Sequence, residues 1–122
     1  MMQYLTALVW NTLEKNYDTD IMADENDIVF ESNGIAFLIQ TKEGFNNIVA
    51  QRLHFRPGTF KEAVKDVRKV CIENGIQFIR VEGNARRYKF LVKMLAELFG
   101  TEVDIVKDLS NKDRNIYYVK VY

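Results

Sequence analysis

Apolar residues recur at helical spacing in several segments of the chain and alternate with polar residues in others. The clearest segment follows Pro57-Gly58 and predicts an amphipathic helix. Thr59 and Glu62 fit a capping box at its start, and Asn74-Gly75 predicts its end, because glycine tolerates the left-handed backbone found there. The apolar face of this helix comprises Phe60, Ala63, Val64, Val67, Val70 and Cys71.

Two further helices are predicted from the same spacing. One begins after Asn84, a good N-cap residue, and ends at Gly100. The other covers residues 2–15 at the start of the chain, where leucine and valine recur three and four positions apart. The apolar stripe of the helix after Asn84 comprises Tyr88, Leu91, Val92, Leu95, Leu98 and Phe99.

Runs of apolar and β-branched residues between turn signals predict the strands. Asn33-Gly34 between two such runs is a strong hairpin signal, and Lys42-Glu43-Gly44 predicts a second turn. Three strands therefore form an antiparallel meander, and a fourth lies parallel to the third because a helix connects them. The final two strands form a hairpin. The predicted strands are residues 28–31, 34–41, about 47–55, 76–81, 102–107 and 116–121.

These elements follow one another in the order α-β-β-β-α-β-α-β-β. They predict an α/β (α+β) fold: a mixed, mostly antiparallel sheet of about six strands flanked by helices. The whole chain of 122 residues is predicted to be a single domain, long enough to bury a core without disulfides.

Composition and charge restrict the environment and the ligands. A single cysteine cannot form an internal disulfide, and no apolar run is long enough to cross a bilayer, so we expect a cytoplasmic protein without a membrane partner. Residues 1–51 carry 2 basic and 8 acidic residues, whereas residues 52–93 carry 11 basic and 4 acidic ones. The basic segment favours an anionic ligand such as phosphate or nucleic acid, or else it forms solvated helix faces.

Several kinds of site are disfavoured by the residues present. One histidine and one cysteine cannot build a typical zinc site. The two glycine-rich phosphate-binding motifs, GxxxxGK(S/T) and GxGxxG, are both absent from the sequence. The acidic stretch between Asp18 and Asp27 raises a calcium hypothesis, but its spacing differs from that of an EF-hand loop. We interpret this stretch as a solvated loop, with a short helical turn around Met22, and predict no metal site.

The order of elements resembles that of the GCN5-related N-acetyltransferases (GNAT), the acyl-CoA N-acyltransferases, without their usual opening strand. Val81-Glu82-Gly83-Asn84 followed by Phe90-Leu91 and Lys93 is similar to the pattern of acetyltransferase-like proteins of tailed phages. The resemblance implies that acyl-CoA, such as acetyl-CoA, enters between the third meander strand and the strand after the helix.

The resemblance also implies positions for the site residues. The loop before the first core helix would bind the pyrophosphate, and Asn84 and Phe90 would contact the rest of the cofactor, although Asn84 is equally well explained as an N-cap. His54, near the end of the third strand, is the candidate general base, or else an ordinary packed or surface residue. The remaining predicted cofactor-binding residues are Phe55, Arg56, Gly58, Thr59, Phe60 and Lys61.

Two departures from the family pattern keep other functions open. Gly58 is the sole glycine of the phosphate loop, and Leu91 stands where the family has the tyrosine that protonates the leaving thiolate. The first hypothesis is an acyl-CoA-dependent N-acyltransferase acting on an unknown amine acceptor. The second is a catalytically silent GNAT-fold phage protein, in the host cytoplasm or the virion, that binds a partner protein. The third, least favoured, is a nucleic-acid-binding domain.

Overall fold

The computed structural model describes residues 2–17, 21–42, 45–53, 58–107 and 113–122, and at 14–17, 42, 52, 83–88, 90, 91, 107 and 114 it describes the backbone alone. These residues form three helices and seven strands. In chain order the elements are β1 (Met2–Leu5), α1 (Ala7–Tyr17), β2 (Ile28–Ser32), β3 (Ile35–Lys42), β4 (Phe45–Arg52), α2 (Phe60–Glu73), β5 (Phe78–Asn84), α3 (Ala85–Phe99), β6 (Val103–Lys107) and β7 (Arg114–Lys120).

All seven strands belong to one sheet, in the order β1-β2-β3-β4-β5-β7-β6. Strands β4 and β5 are parallel, as predicted, and every other neighbouring pair is antiparallel. The mixed, mostly antiparallel α+β architecture is therefore confirmed.

Helices cover both faces of the sheet. α2 and α3 pack on one face, which we call the α2–α3 face, and α1 packs on the other, the α1 face. Strand β3 is buried on both sides, since Phe37 and Ile39 belong to the core under α2 and α3, whereas Ala36 and Leu38 belong to the core under α1. This explains why β3 reads as a continuous apolar run rather than an alternating one.

The helix predicted from residue 2 and the count of about six strands were wrong. Residues 2–5 form β1, which pairs with β2 from Met2↔Ser32 to Leu5↔Val29. The helix begins only at Ala7, after Thr6, whose hydroxyl accepts a hydrogen bond from the Val9 amide at 3.3 Å. The pairing with β2 supplies hydrogen bonds that local sequence cannot reveal, and the chain therefore has an opening strand.

Strand and helix boundaries also shift relative to the prediction. β4 spans Phe45–Arg52 rather than 47–55, because it pairs with β3 along its whole length. β5 spans Phe78–Asn84 rather than 76–81, because β7 pairs with it through Asn84. Thr59 occupies the N-cap position of α2, but its side chain makes no capping hydrogen bond, so the predicted capping box does not form.

The predicted end of α2 is confirmed. Asn74 is the C-cap residue and Gly75 has a φ of +69°. A side chain in place of the glycine hydrogen would meet no atom within 4 Å, so only backbone strain opposes a substitution at this position.

Gly75→Ala is expected to lower the free energy of unfolding by about 1–2 kcal/mol, because the left-handed conformation is unfavourable for a residue with a Cβ. Urea denaturation followed by circular dichroism measures the change. Gly75→Asn is the matched control and should cost less, since asparagine tolerates this region. Equal stability of the alanine variant and the wild type would contradict the explanation.

Candidate functional site

The parallel strands β4 and β5 have a single register pair, Asn47↔Arg80. Each strand has its own antiparallel partner, since β3 pairs with all eight residues of β4 and β7 pairs with all seven of β5. The two strands therefore follow different partners, and no register pair joins them beyond Asn47 and Arg80.

A cavity of about 300 Å³ lies between these strands and beneath α2. Its walls are mainly apolar side chains from the sheet and from α2, such as Ile48, Val64, Ile79 and Val81. This volume lies at the lower end of the range of ~300–1,000 Å³ typical of ligand pockets. The lining suits an apolar chain rather than a charged group.

A second space, a groove of about 450 Å³, lies on the α1 face and is more open and more polar. It shares Ile21, Asn47 and Glu82 with the cavity. Ile21 packs in the core under α1, yet it also lines the cavity beneath α2. The gap between β4 and β5 therefore connects the two faces of the sheet.

Four polar side chains form a network where the cavity and the groove meet. Asn47 Nδ2 donates to Gln40 Oε1 at 3.2 Å, and Arg80 Nη1 donates to Asn47 Oδ1 at 3.2 Å. Arg80 Nη2 lies 3.1 Å from Glu82 Oε2, and the guanidinium carbon lies 4.8 Å from the centre of the Phe45 ring. Contacts on several sides thus fix the orientation of Arg80.

The segment after α1 is held at the mouth of both spaces. Trp10 Nε1 donates to the Ile21 carbonyl at 2.9 Å. Asn11 bonds the backbone of Ala23 twice, donating to its carbonyl at 3.1 Å and accepting from its N–H at 2.7 Å. These bonds engage the backbone groups that the predicted helical turn around Met22 would have used, and no helix forms over residues 21–23.

One acidic side chain of the following loop, that of Asp27, bonds to the backbone. Asp27 accepts hydrogen bonds from the N–H groups of Asp24 at 2.8 Å and Thr41 at 3.2 Å. No group of three or more acidic, histidine or cysteine side chains placed to hold a metal occurs in the described parts of the chain. Asp18 and Asp20 lie outside the described residues.

The structure brings one of the predicted site residues to the cavity. Phe60, the first residue of α2, lines it. Gly58, with a φ of +91°, and Lys61 are exposed, and Thr59 is half-buried beside them. Asn84 is the last residue of β5 and directly precedes α3, and Phe90 lies in α3. The structure describes only the backbone of these two residues. His54, Phe55 and Arg56 lie outside the described residues.

Sequence reasoning did not assign Asn47, Arg80 or Glu82 to the site and named Glu82 only as part of the Val81-Glu82-Gly83-Asn84 motif. Glu82 lies inside β5. The available signal was polar residues inside two predicted strands, Asn47 in one and Arg80 in the other. Such residues are unusual in a buried strand unless they pair with one another or with a ligand.

Cys71 takes no part in this site. Its side chain is fully buried among the core residues of α2, and burial raises the pKa of its thiol to about 12. The thiol therefore stays protonated near neutral pH, and a protonated thiol is a poor nucleophile.

Comparison with known proteins adds no relative. No protein-family model matches the chain, and neither a curated protein nor a solved structure matches it significantly. Among the helices of the described residues, none is long and apolar enough to span a membrane.

Proposed function

We propose that this protein is an acyl-CoA-dependent N-acyltransferase of the GNAT type. The observation that carries the proposal is that parallel β4 and β5 share a single register pair beside an apolar cavity. The resemblance seen in the sequence implies a gap at this place. The opening strand β1, which the sequence pattern had not predicted, also supports the proposal, because the family usually begins with a strand.

The cavity suits the acyl group and the adjoining pantetheine arm of acyl-CoA. Its lining is mostly apolar, and the facing edges of β4 and β5 have no register pair beyond Asn47 and Arg80. Backbone N–H and C=O groups on such edges are suited to pair with the amides of an extended ligand, as an added strand does.

The start of α2 borders the same cavity, since its first residue, Phe60, lines it. A helix N-terminus attracts anions through its unpaired N–H groups and its dipole. This geometry supports the prediction that Gly58, Thr59 and Lys61 bind the pyrophosphate. The contributions of Phe55, Arg56, Asn84 and Phe90 to cofactor binding stay predictions from the resemblance.

Glu82 is the described residue best placed to act as general base. It lines both the cavity, where the thioester would lie, and the groove, from which an amine would approach. The carboxylate takes a proton from the acceptor ammonium, and the resulting amine attacks the thioester carbonyl carbon. A C–N bond forms, the C–S bond breaks, and the nitrogen releases its second proton to solvent to give the neutral amide. CoA leaves as a thiolate that takes a proton from solvent. Leu91 cannot donate a proton to the leaving group, so the thiolate departs without a general acid, at some loss of rate.

Acetyl-CoA is expected to raise the melting temperature, because a ligand that binds only the folded state stabilises it by about 2.7 kcal/mol at 100 times its Kd. Differential scanning fluorimetry measures the shift. Ala50→Phe should abolish it, because Ala50 is exposed on β4 and lines the cavity, so a phenyl ring there obstructs the space at little cost to the core.

Lys69→Phe is the matched control. It introduces the same ring on the exposed side of α2, away from the cavity, and should leave the shift intact. Absence of any shift with millimolar acetyl-CoA would overturn the proposal. A shift without amide product from any amine would instead favour the catalytically silent alternative.

A further inference from the structure

The groove on the α1 face carries an ion pair, Arg80–Glu82, beside the gap through which the acyl group would be reached. We propose that this groove binds a free α-amino acid with an apolar side chain, and that this amino acid is the acyl acceptor. The inference rests on the proposed N-acyltransferase function, which supplies the reaction. It concerns the contacts of the acceptor in the groove, whereas the proposed function concerns acyl-CoA in the cavity.

Arg80 is oriented before any ligand arrives. Its side chain is 15% exposed, and it is held by Asn47, by Glu82 and by the face of Phe45. In the described part of the chain its contacts to Asn47 and Glu82 use two of the five N–H donors of a guanidinium. Arg80 lines the groove, and a guanidinium matches a carboxylate through paired hydrogen bonds.

Glu82 supplies the opposite charge at the neighbouring position. Its side chain is 35% exposed and lies 3.1 Å from Arg80. A free α-amino acid has a carboxylate and an ammonium group on the same carbon, so it can pair with both members of this ion pair at once. The ammonium would then lie beside Glu82, which also borders the cavity assigned to the acyl group.

The rest of the groove is suited to an apolar side chain. Ile21, Met22 and Phe45 line it, and Met22 is 50% exposed. The hydrogen bonds from Trp10 and Asn11 to the segment after α1 hold Ile21 and Met22 in place. A peptide N-terminus or a simple amine has no carboxylate next to its amino group, and it would leave the remaining Arg80 donors without an anion.

Purified wild-type protein distinguishes these acceptors directly. Acetyl transfer from acetyl-CoA is measured with L-phenylalanine, with L-phenylalaninamide and with phenethylamine, which share a ring and an amine but differ in the carboxylate. We expect kcat/KM to be at least about tenfold higher for L-phenylalanine, as loss of a hydrogen bond to a charged group predicts. Equal or faster transfer to phenethylamine would overturn the inference.

Substitutions of Arg80 test whether this residue recognises the carboxylate of the acceptor or only stabilises the packing of β4 and β5. Arg80→Lys keeps the charge but lacks the planar fork, so it should reduce the ratio of kcat/KM for L-phenylalanine to kcat/KM for phenethylamine. Arg80→Gln should remove the preference. Lys93→Gln, which removes a charge from the exposed side of α3, is the control and should keep it. Retention of the full preference in Arg80→Gln would overturn the role of Arg80.

Binding of L-phenylalanine without acetyl-CoA, measured by isothermal titration calorimetry, keeps the two proposals apart. Binding that Arg80→Gln weakens at least about tenfold would support the amino-acid site even if acetyl-CoA failed to bind. Acetyl-CoA binding with no preference for the amino acid would overturn this inference and leave the acyltransferase proposal standing. Failure to bind L-phenylalanine at all would overturn the inference.

Discussion

Glu82→Gln is expected to lower kcat for acetyl transfer by about 10²–10⁴-fold, the usual contribution of a general base. Glutamine keeps the shape of the side chain and an oxygen that can accept from Arg80, but it cannot take a proton from the acceptor ammonium. The melting-temperature shift with acetyl-CoA should persist, because the substitution leaves the apolar cavity unchanged. Steady-state kinetics at saturating acetyl-CoA measures the effect.

Glu97→Gln is the matched control, since Glu97 is exposed on α3 and lines neither space. It should retain wild-type kinetics. His54→Asn tests the base predicted from the sequence in the same assay. If Glu82→Gln kept full activity and His54→Asn lost it, the sequence-based assignment would replace the one argued from the structure.

Trp10→Ala is expected to lower the free energy of unfolding by about 3–5 kcal/mol, the range typical of removing a buried large aromatic side chain. Trp10 is fully buried at the centre of the core under α1, and its indole N–H bonds the Ile21 carbonyl at 2.9 Å. The variant loses apolar contact, leaves a cavity and releases a carbonyl from its partner. Urea denaturation measures the loss.

Trp10→Phe separates packing from the hydrogen bond. It retains most of the buried ring and loses only the N–H donor, so its cost should be clearly smaller than that of alanine. Val9→Ala, at an exposed neighbouring position on α1, serves as the surface control and should change stability by less than about 0.5 kcal/mol. A loss below about 1 kcal/mol for Trp10→Ala would show that this core contributes little.

The parts of the fold predicted from the sequence are those with strong local signals. The five residues of the predicted α2 face other than Phe60 are all buried, and the turn at Asn33-Gly34 joins β2 to β3 with positive φ at both residues. The end of α2 at Asn74-Gly75 is also confirmed. Helical periodicity and glycine conformation depend on neighbours within a few positions, and a single sequence contains that information.

The wrong predictions concern segments whose state depends on distant partners. Residues 2–5 form a strand only because β2 lies beside them, and β5 reaches Asn84 only because β7 continues that far. Thr59 takes the N-cap position without the capping hydrogen bond that its residue type suggested. In each case interactions across the fold outweigh a local preference of at most a few kcal/mol.

The candidate site divides in the same way. Phe60 was placed near the cofactor through the resemblance, and it lines the cavity. Gln40, Asn47 and Arg80 come from three different strands, and only the sheet register makes them neighbours. Each of them alone is an ordinary polar residue in a strand, so the chain gives no local sign that they form a network.

The amino-acid sequence by itself determined the helices α2 and α3, the meander, the final hairpin and the parallel β-α-β connection, because short-range periodicity and turn chemistry specify them. Only the tertiary structure decided that β4 and β5 share a single register pair, because that pairing joins segments far apart in the sequence. The sheet register brings Asn47 of β4 beside Arg80 and Glu82 of β5, and Asn47 and Glu82 line the apolar cavity.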